Sequence, residues 1–104
     1  MTNGNDQWSD VSPIRAVWED EGYIVEGEYL GFTEVTLPTG LQKRYTVQPD
    51  DVGAQPVFFY GTVVLWDLLA SIKQGDYIRI EYLGVDDTGT RPIKRFSLQR
   101  RLQI

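Results

Sequence analysis

The sequence predicts a mainly β domain: a five-stranded barrel of the OB type, ordered β-β-β-α-β-β, with one short helix between strands three and four. Three observations carry this. Strand-like alternation runs through most of the chain from Tyr23 onward. One stretch, between Gly61 and Gly75, switches to helical period. Glycines at 27 and 31 interrupt the first long strand, as a strand that must coil and pair with both halves of a small barrel requires.

The elements follow in order. Residues 1–10, MTNGNDQWSD, are polar and acidic, with no basic start and no apolar stretch. They read as a flexible arm rather than a secretory leader, leaving residues 11–104 as the domain. In residues 11–22, Pro13 and the cluster Glu19, Asp20, Glu21 bracket Ile14, Val17 and Trp18. That pattern suits either a short helical turn or an extra edge strand, ended by Gly22. Trp8 and Trp18 have no assigned partner.

YIVEGEYLGFTEVTL, from Tyr23, is rich in β-branched and aromatic residues and reads as strand one. Pro38-Thr39-Gly40 is a turn. Leu41 to Gln48 is strand two, with Leu41, Lys43, Tyr45 and Val47 on one face and Gln42, Arg44 and Thr46 on the other. Residues 49–53 form a loop, and Pro56 to Tyr60 is a short strand three. Leu65, Leu68, Leu69 and Ile72 then fall at i, i+3, i+4 and i+7, a helical stripe, with Lys73 in the last turn and Gly75 just past the end. Asp76 to Leu83 is strand four. Gly84 to Gly89 is a polar turn, and Arg91 to Leu98 is strand five. The expected core is Val25, Tyr29, Val47, Phe58, Leu65, Leu68, Leu69, Ile72, Ile78, Ile80, Phe96 and Leu98.

Composition narrows the function. The 104 residues suit one domain, and 41% apolar with 24% charged residues is ordinary for a globular chain. A chain of this size needs no metal or disulfide to hold a core. There is no cysteine and no histidine, so thiolate chemistry, Ser-His-Asp machinery and an ordinary zinc site are excluded. Asp50-Asp51 and Asp86-Asp87 lack the spacing of a calcium loop and are good turn residues. No carboxylate pair stands out from a solvated strand face, so the chain reads as a non-enzyme that needs no cofactor. No apolar run reaches the roughly 20 residues that span a bilayer, and the absence of cysteine fits a cytoplasmic setting.

Charge is unevenly spread. The net charge is −5; residues 1–52 carry three basic against ten acidic residues, whereas residues 53–104 carry seven against five. Arg91, Lys94, Arg95, Arg100 and Arg101 sit in a terminal segment without any acid. Such a balance argues against indiscriminate nucleic-acid binding but allows one basic face.

The run GTVVLWDLLASIKQGDYIRIEYLG, followed by a polar turn and RPIKRFSL, resembles a group of phage and prophage OB-fold proteins taken to be single-stranded DNA-binding proteins. The resemblance covers residues 61–98 strongly and Tyr23 to Gln48 loosely, and does not include residues 1–22. It implies binding of single-stranded DNA without sequence preference, in phage or prophage replication or recombination, in the host cytoplasm. This chain is more acidic than such binders, with Glu26, Glu28 and Glu34 on strand one.

Single-strand binding needs a basic groove for phosphates and ring faces for bases. In OB folds the strand two–three face and adjoining loops supply them. The expected stacking residues are therefore Tyr45, Phe59 and Tyr82, and the expected phosphate contacts are Lys43, Arg44, Arg91, Lys94 and Arg95. The other reading is a protein-interaction or virion assembly module that binds no nucleic acid. Either could form a homodimer or higher oligomer through sheet edges. The placement of charge discriminates them: one face uniting Lys43, Arg44 and the last strand's basics favours DNA, whereas basics scattered or paired with acids favour a protein partner.

Overall fold

The computed structural model describes residues 13–51 and 53–101. The expected arm and Trp8 lie outside them. The elements are β1 (Ile14–Arg15), β2 (Ile24–Leu37), β3 (Gly40–Gln48), β4 (Val57–Tyr60), α1 (Val63–Leu69), β5 (Tyr77–Asp86) and β6 (Ile93–Arg100). They form one curled mixed sheet in the order β1-β4-β3-β2-β5-β6. The mainly β, barrel-like fold with one helix is thus as expected, with six strands in place of five. The extra strand is β1, the edge-strand alternative for residues 11–22.

β2 organises the sheet. Ile24 to Glu28 pair with β5, and Glu28 to Leu37 pair with β3. The handover needs a bend, and two glycines supply it. Gly31 takes a φ of +94° beside the register shift that follows Tyr29, a conformation a side chain resists. Gly27 lies so close to the backbone carbonyl of Gln48 that a Cβ would collide with it.

α1 is shorter than the helical stripe suggested. The Thr62 hydroxyl accepts from Leu65 N at 3.3 Å and caps its start. It ends at Leu69, with Ala70 as its C-cap. Lys73 and Gly75 belong to the following turn, where Lys73 N donates to Asp76 Oδ2 at 2.9 Å and Gly75 N donates to Tyr29 O at 2.8 Å. Bonds from both ends of that turn to β2 and Asp76 compete with further helix. Leu65 and Leu69 are buried, and Leu68 and Ile72 pack at the core's margin.

The core holds Val25, Tyr29, Val47, Leu65, Leu69, Ile78, Ile80 and Phe96 as expected, and adds Ala16, Trp18, Tyr45, Phe59 and Tyr82. Phe58 is a correction: it is half-buried on the outer face, and Phe59 takes the inner position.

Trp18 bridges the open side of the curled sheet. β1 pairs parallel with β4 through Ile14↔Val57 and Arg15↔Phe58, so β1 and β6 end the sheet order, and among the described residues no ladder joins β4 to β6. The indole fills that gap. Its ring centroid lies 5.5 Å from Phe59 of β4 and 5.0 Å from Phe96 of β6, both edge-on. Such pairs contribute about 0.5–1.5 kcal/mol each beyond area burial. Lys94 Nζ donates to the Trp18 carbonyl at 3.0 Å across the same gap.

Candidate nucleic-acid interface

The β3–β4 register decides which side chains face a ligand. Arg44↔Tyr60, Tyr45↔Phe59, Thr46↔Phe58 and Val47↔Val57 are opposed. Because side chains alternate across a strand, Tyr45, Val47 and Phe59 point to the core, and Arg44, Thr46, Phe58 and Tyr60 point outward.

This corrects the three expected stacking residues. Tyr45, Phe59 and Tyr82 are only 3%, 2% and 2% exposed, leaving no ring face for a base. Tyr45 and Phe59 stack on each other with centroids 5.6 Å apart, and burial pushes the Tyr45 hydroxyl pKa up. Tyr82 packs on Phe96.

The outward residues form a different constellation. Phe58 and Tyr60 are half-buried and meet edge to face, 5.9 Å apart. The Arg44 guanidinium lies 4.0 Å from the Phe58 ring centroid, and that of Arg15, from β1, lies 5.4 Å from the Tyr60 centroid. Both are cation–π distances. Neither arginine joins an ion pair among the described residues, where the pairs are Arg79–Glu26, Arg95–Asp86 and Arg100–Asp76. The outward row of β3 (Gln42, Arg44, Thr46, Gln48) carries no carboxylate.

Glu26 and Glu28 lie opposite Arg79 and Tyr77 of β5, and Glu28 also faces Gln48 at the end of the outward row of β3. A hydrogen bond from Arg79 holds the Glu26 carboxyl below its ordinary range. The Tyr77 hydroxyl donates to Asp50 at 2.7 Å, and that bond is the chief reason its pKa is pushed up to about 12.

The expected phosphate contacts do not share one face, and by the charge-placement criterion this scatter favours a protein partner. Arg44 sits in the outer cluster. Lys94 lines a groove of about 510 Å³ with Arg15, Trp18, Tyr60 and Thr62, and so adjoins that cluster, with the acidic residue Glu19 on the same groove. Arg95 is held by Asp86 at 2.9 Å, and Arg91 is exposed in the preceding turn. Asp86 also accepts from the Thr88 hydroxyl and amide, which lower its pKa. Lys43 points away from Arg44, into the mouth of the barrel, with Nζ 4.7 Å from the Phe32 ring centroid.

Arg15, Phe58 and Tyr60 were outside the expected set. The signal for the two aromatics was present: Val47 was an expected core residue and shares its face with Tyr45, which turns Arg44 outward. Nothing in residues 11–22 placed Arg15 beside β4.

Among the described residues no helix is long and apolar enough to cross a membrane. Comparison of the chain with protein-family models, curated proteins and solved structures finds no match.

Proposed function

We propose that this protein binds single-stranded DNA without sequence preference across the outer face of β1, β4 and β3. One observation carries the reading: two cation–ring pairs, Arg44 on Phe58 and Arg15 on Tyr60, stand side by side beside an outward row of β3 that itself carries no carboxylate. Bases stack on aromatic rings and on guanidinium planes alike, so each pair offers a platform and a charge for the adjoining phosphate. Lys94, on the neighbouring groove, would continue the track. The patch is on the strand pair that OB folds use for this purpose. A role in phage or prophage replication or recombination, in the host cytoplasm, rests on the resemblance of residues 61–98.

The second reading, a protein-interaction or virion assembly module, draws support from the rest of the surface. Arg79, Arg95 and Arg100 are already paired with acids, and the net charge is −5. Fluorescence anisotropy with labelled oligo-dT at low and high salt separates the two. DNA binding that weakens steeply with salt supports the first reading. No binding at tens of micromolar protein in low salt overturns it.

A further inference from the structure

The mouth of the barrel carries a second aromatic surface. Phe32 is 50% exposed and Trp66 40% exposed, a costly display for two large apolar rings in so small a domain. They flank Lys43, whose Nζ lies 4.7 Å from the Phe32 centroid and 5.7 Å from that of Trp66. Together with Tyr29, Tyr45 and Gln74 they line a cavity of about 450 Å³.

The cavity is held open by packing. A Cβ at Gly61 would strike the Trp66 indole, and would come within 2.6 Å of the Tyr45 ring. The indole therefore rests on bare backbone. Phe32 is braced by Tyr45, 5.7 Å between centroids. Lys43 has Glu34 as its cross-strand neighbour yet forms no ion pair with it among the described residues.

We propose that this cavity takes one unstacked nucleotide of a bound single strand, the base against Trp66 and Phe32 and its phosphate on Lys43. The inference rests on the single-stranded DNA reading and extends it to a second subsite. Two features select this occupant. The ring faces and the single unpaired cation match the two halves of a nucleotide, and the Gln74 amide at the rim has both donor and acceptor for a base edge. The cavity also lies close to the end of the outer patch along the backbone. Tyr60 ends that patch, Gly61 follows it with its N–H bonded to Lys43 O at 3.1 Å, and Trp66 stands on Gly61. A bound strand would have to round Gly61 at the end of β4 to pass from Tyr60 to the cavity.

The test compares oligo-dT of roughly 4 and roughly 16 nucleotides, the ends of the range one OB domain covers, by anisotropy with the full chain. The ratio of the two affinities is measured for wild type, Trp66→Ala and Phe32→Ala. Losing one stacked base is expected to shrink that ratio roughly tenfold in both variants. Thermal unfolding of each variant verifies that it is folded, and Trp66→Phe supplies a conservative version that keeps a ring. An unchanged ratio in the folded variants overturns the subsite while leaving the outer-face reading intact. Absence of binding at either length in wild type overturns both. A wild-type dimer that dissociates on Trp66→Ala assigns the cavity to a second copy of the chain and overturns the subsite.

Discussion

The guanidinium of Arg44 lies 4.0 Å from the centroid of the Phe58 ring, on the outward face of two strands whose inward residues, Tyr45 and Phe59, are stacked on each other. The same two strands thus build the core with one set of aromatics and present a second set with its own cations. The inner stack lies in the core, and the outer pair stays at the surface.

Substitution at this pair separates charge from stacking. Arg44→Ala should flatten the dependence of log affinity on log salt by about 0.7, the contribution of one phosphate in a single strand. Phe58→Ala should weaken oligo-dT binding by about 1–3 kcal/mol and leave the salt slope unchanged. Anisotropy titrations at several salt concentrations measure both. Equal slopes for the two variants would contradict the division of roles.

Trp18 should dominate stability although it belongs to no strand. Its indole is 9% exposed and touches Tyr23, Phe59, Tyr82 and Phe96 across the unpaired seam. Trp18→Ala should cost about 3–5 kcal/mol, a large share of the 5–15 kcal/mol typical of a domain. Trp18→Phe should recover much of this, since no described residue pairs with the indole N–H. Urea unfolding gives the comparison, and a loss under about 1 kcal/mol for Trp18→Ala would show that the seam closes without it.

Gly27→Ala tests the handover in β2. The added methyl meets the Gln48 carbonyl, a backbone atom that cannot move without opening the β2–β3 ladder. A loss of about 2 kcal/mol or more is expected. Gly89→Ala, where a Cβ meets open space, should have little effect in the same assay.

Alkaline pH should destabilise the fold through two tyrosines. The Tyr77 pKa is raised to about 12 chiefly by its bond to Asp50, and that of Tyr29 to about 12 by burial. Both exceed the unfolded value near 10, so the folded state holds these protons more tightly. Their contribution is complete below about pH 10 and is lost as pH rises toward about 12. Unfolding measured across that window should show a falling midpoint, and Tyr77→Phe should make the decline shallower. A midpoint independent of pH would contradict the assigned environments.

The strand order, the helix position and the bend in β2 were legible because each rests on local signals: period, turn residues and interior glycines. The faces of β3 and β4 were harder to read. Tyr45 and Phe59 look like stacking residues in isolation, and only the shared face with buried Val47 shows that they point inward. Trp18 and Arg15 were not legible at all. They lie in a segment with no period, and their roles come from a parallel pairing with β4, some forty residues later in the chain. The helix was overestimated because Ile72 continues its stripe while the backbone already turns toward Tyr29.

If single-stranded DNA lies on the outer face of β1, β4 and β3, backbone amide shifts measured by NMR during titration with oligo-dT should change most at Arg15, Arg44, Thr46, Phe58 and Tyr60, with Lys94 at the margin. Changes centred instead on Arg91 and Arg95, or none at saturating oligonucleotide, would contradict that placement.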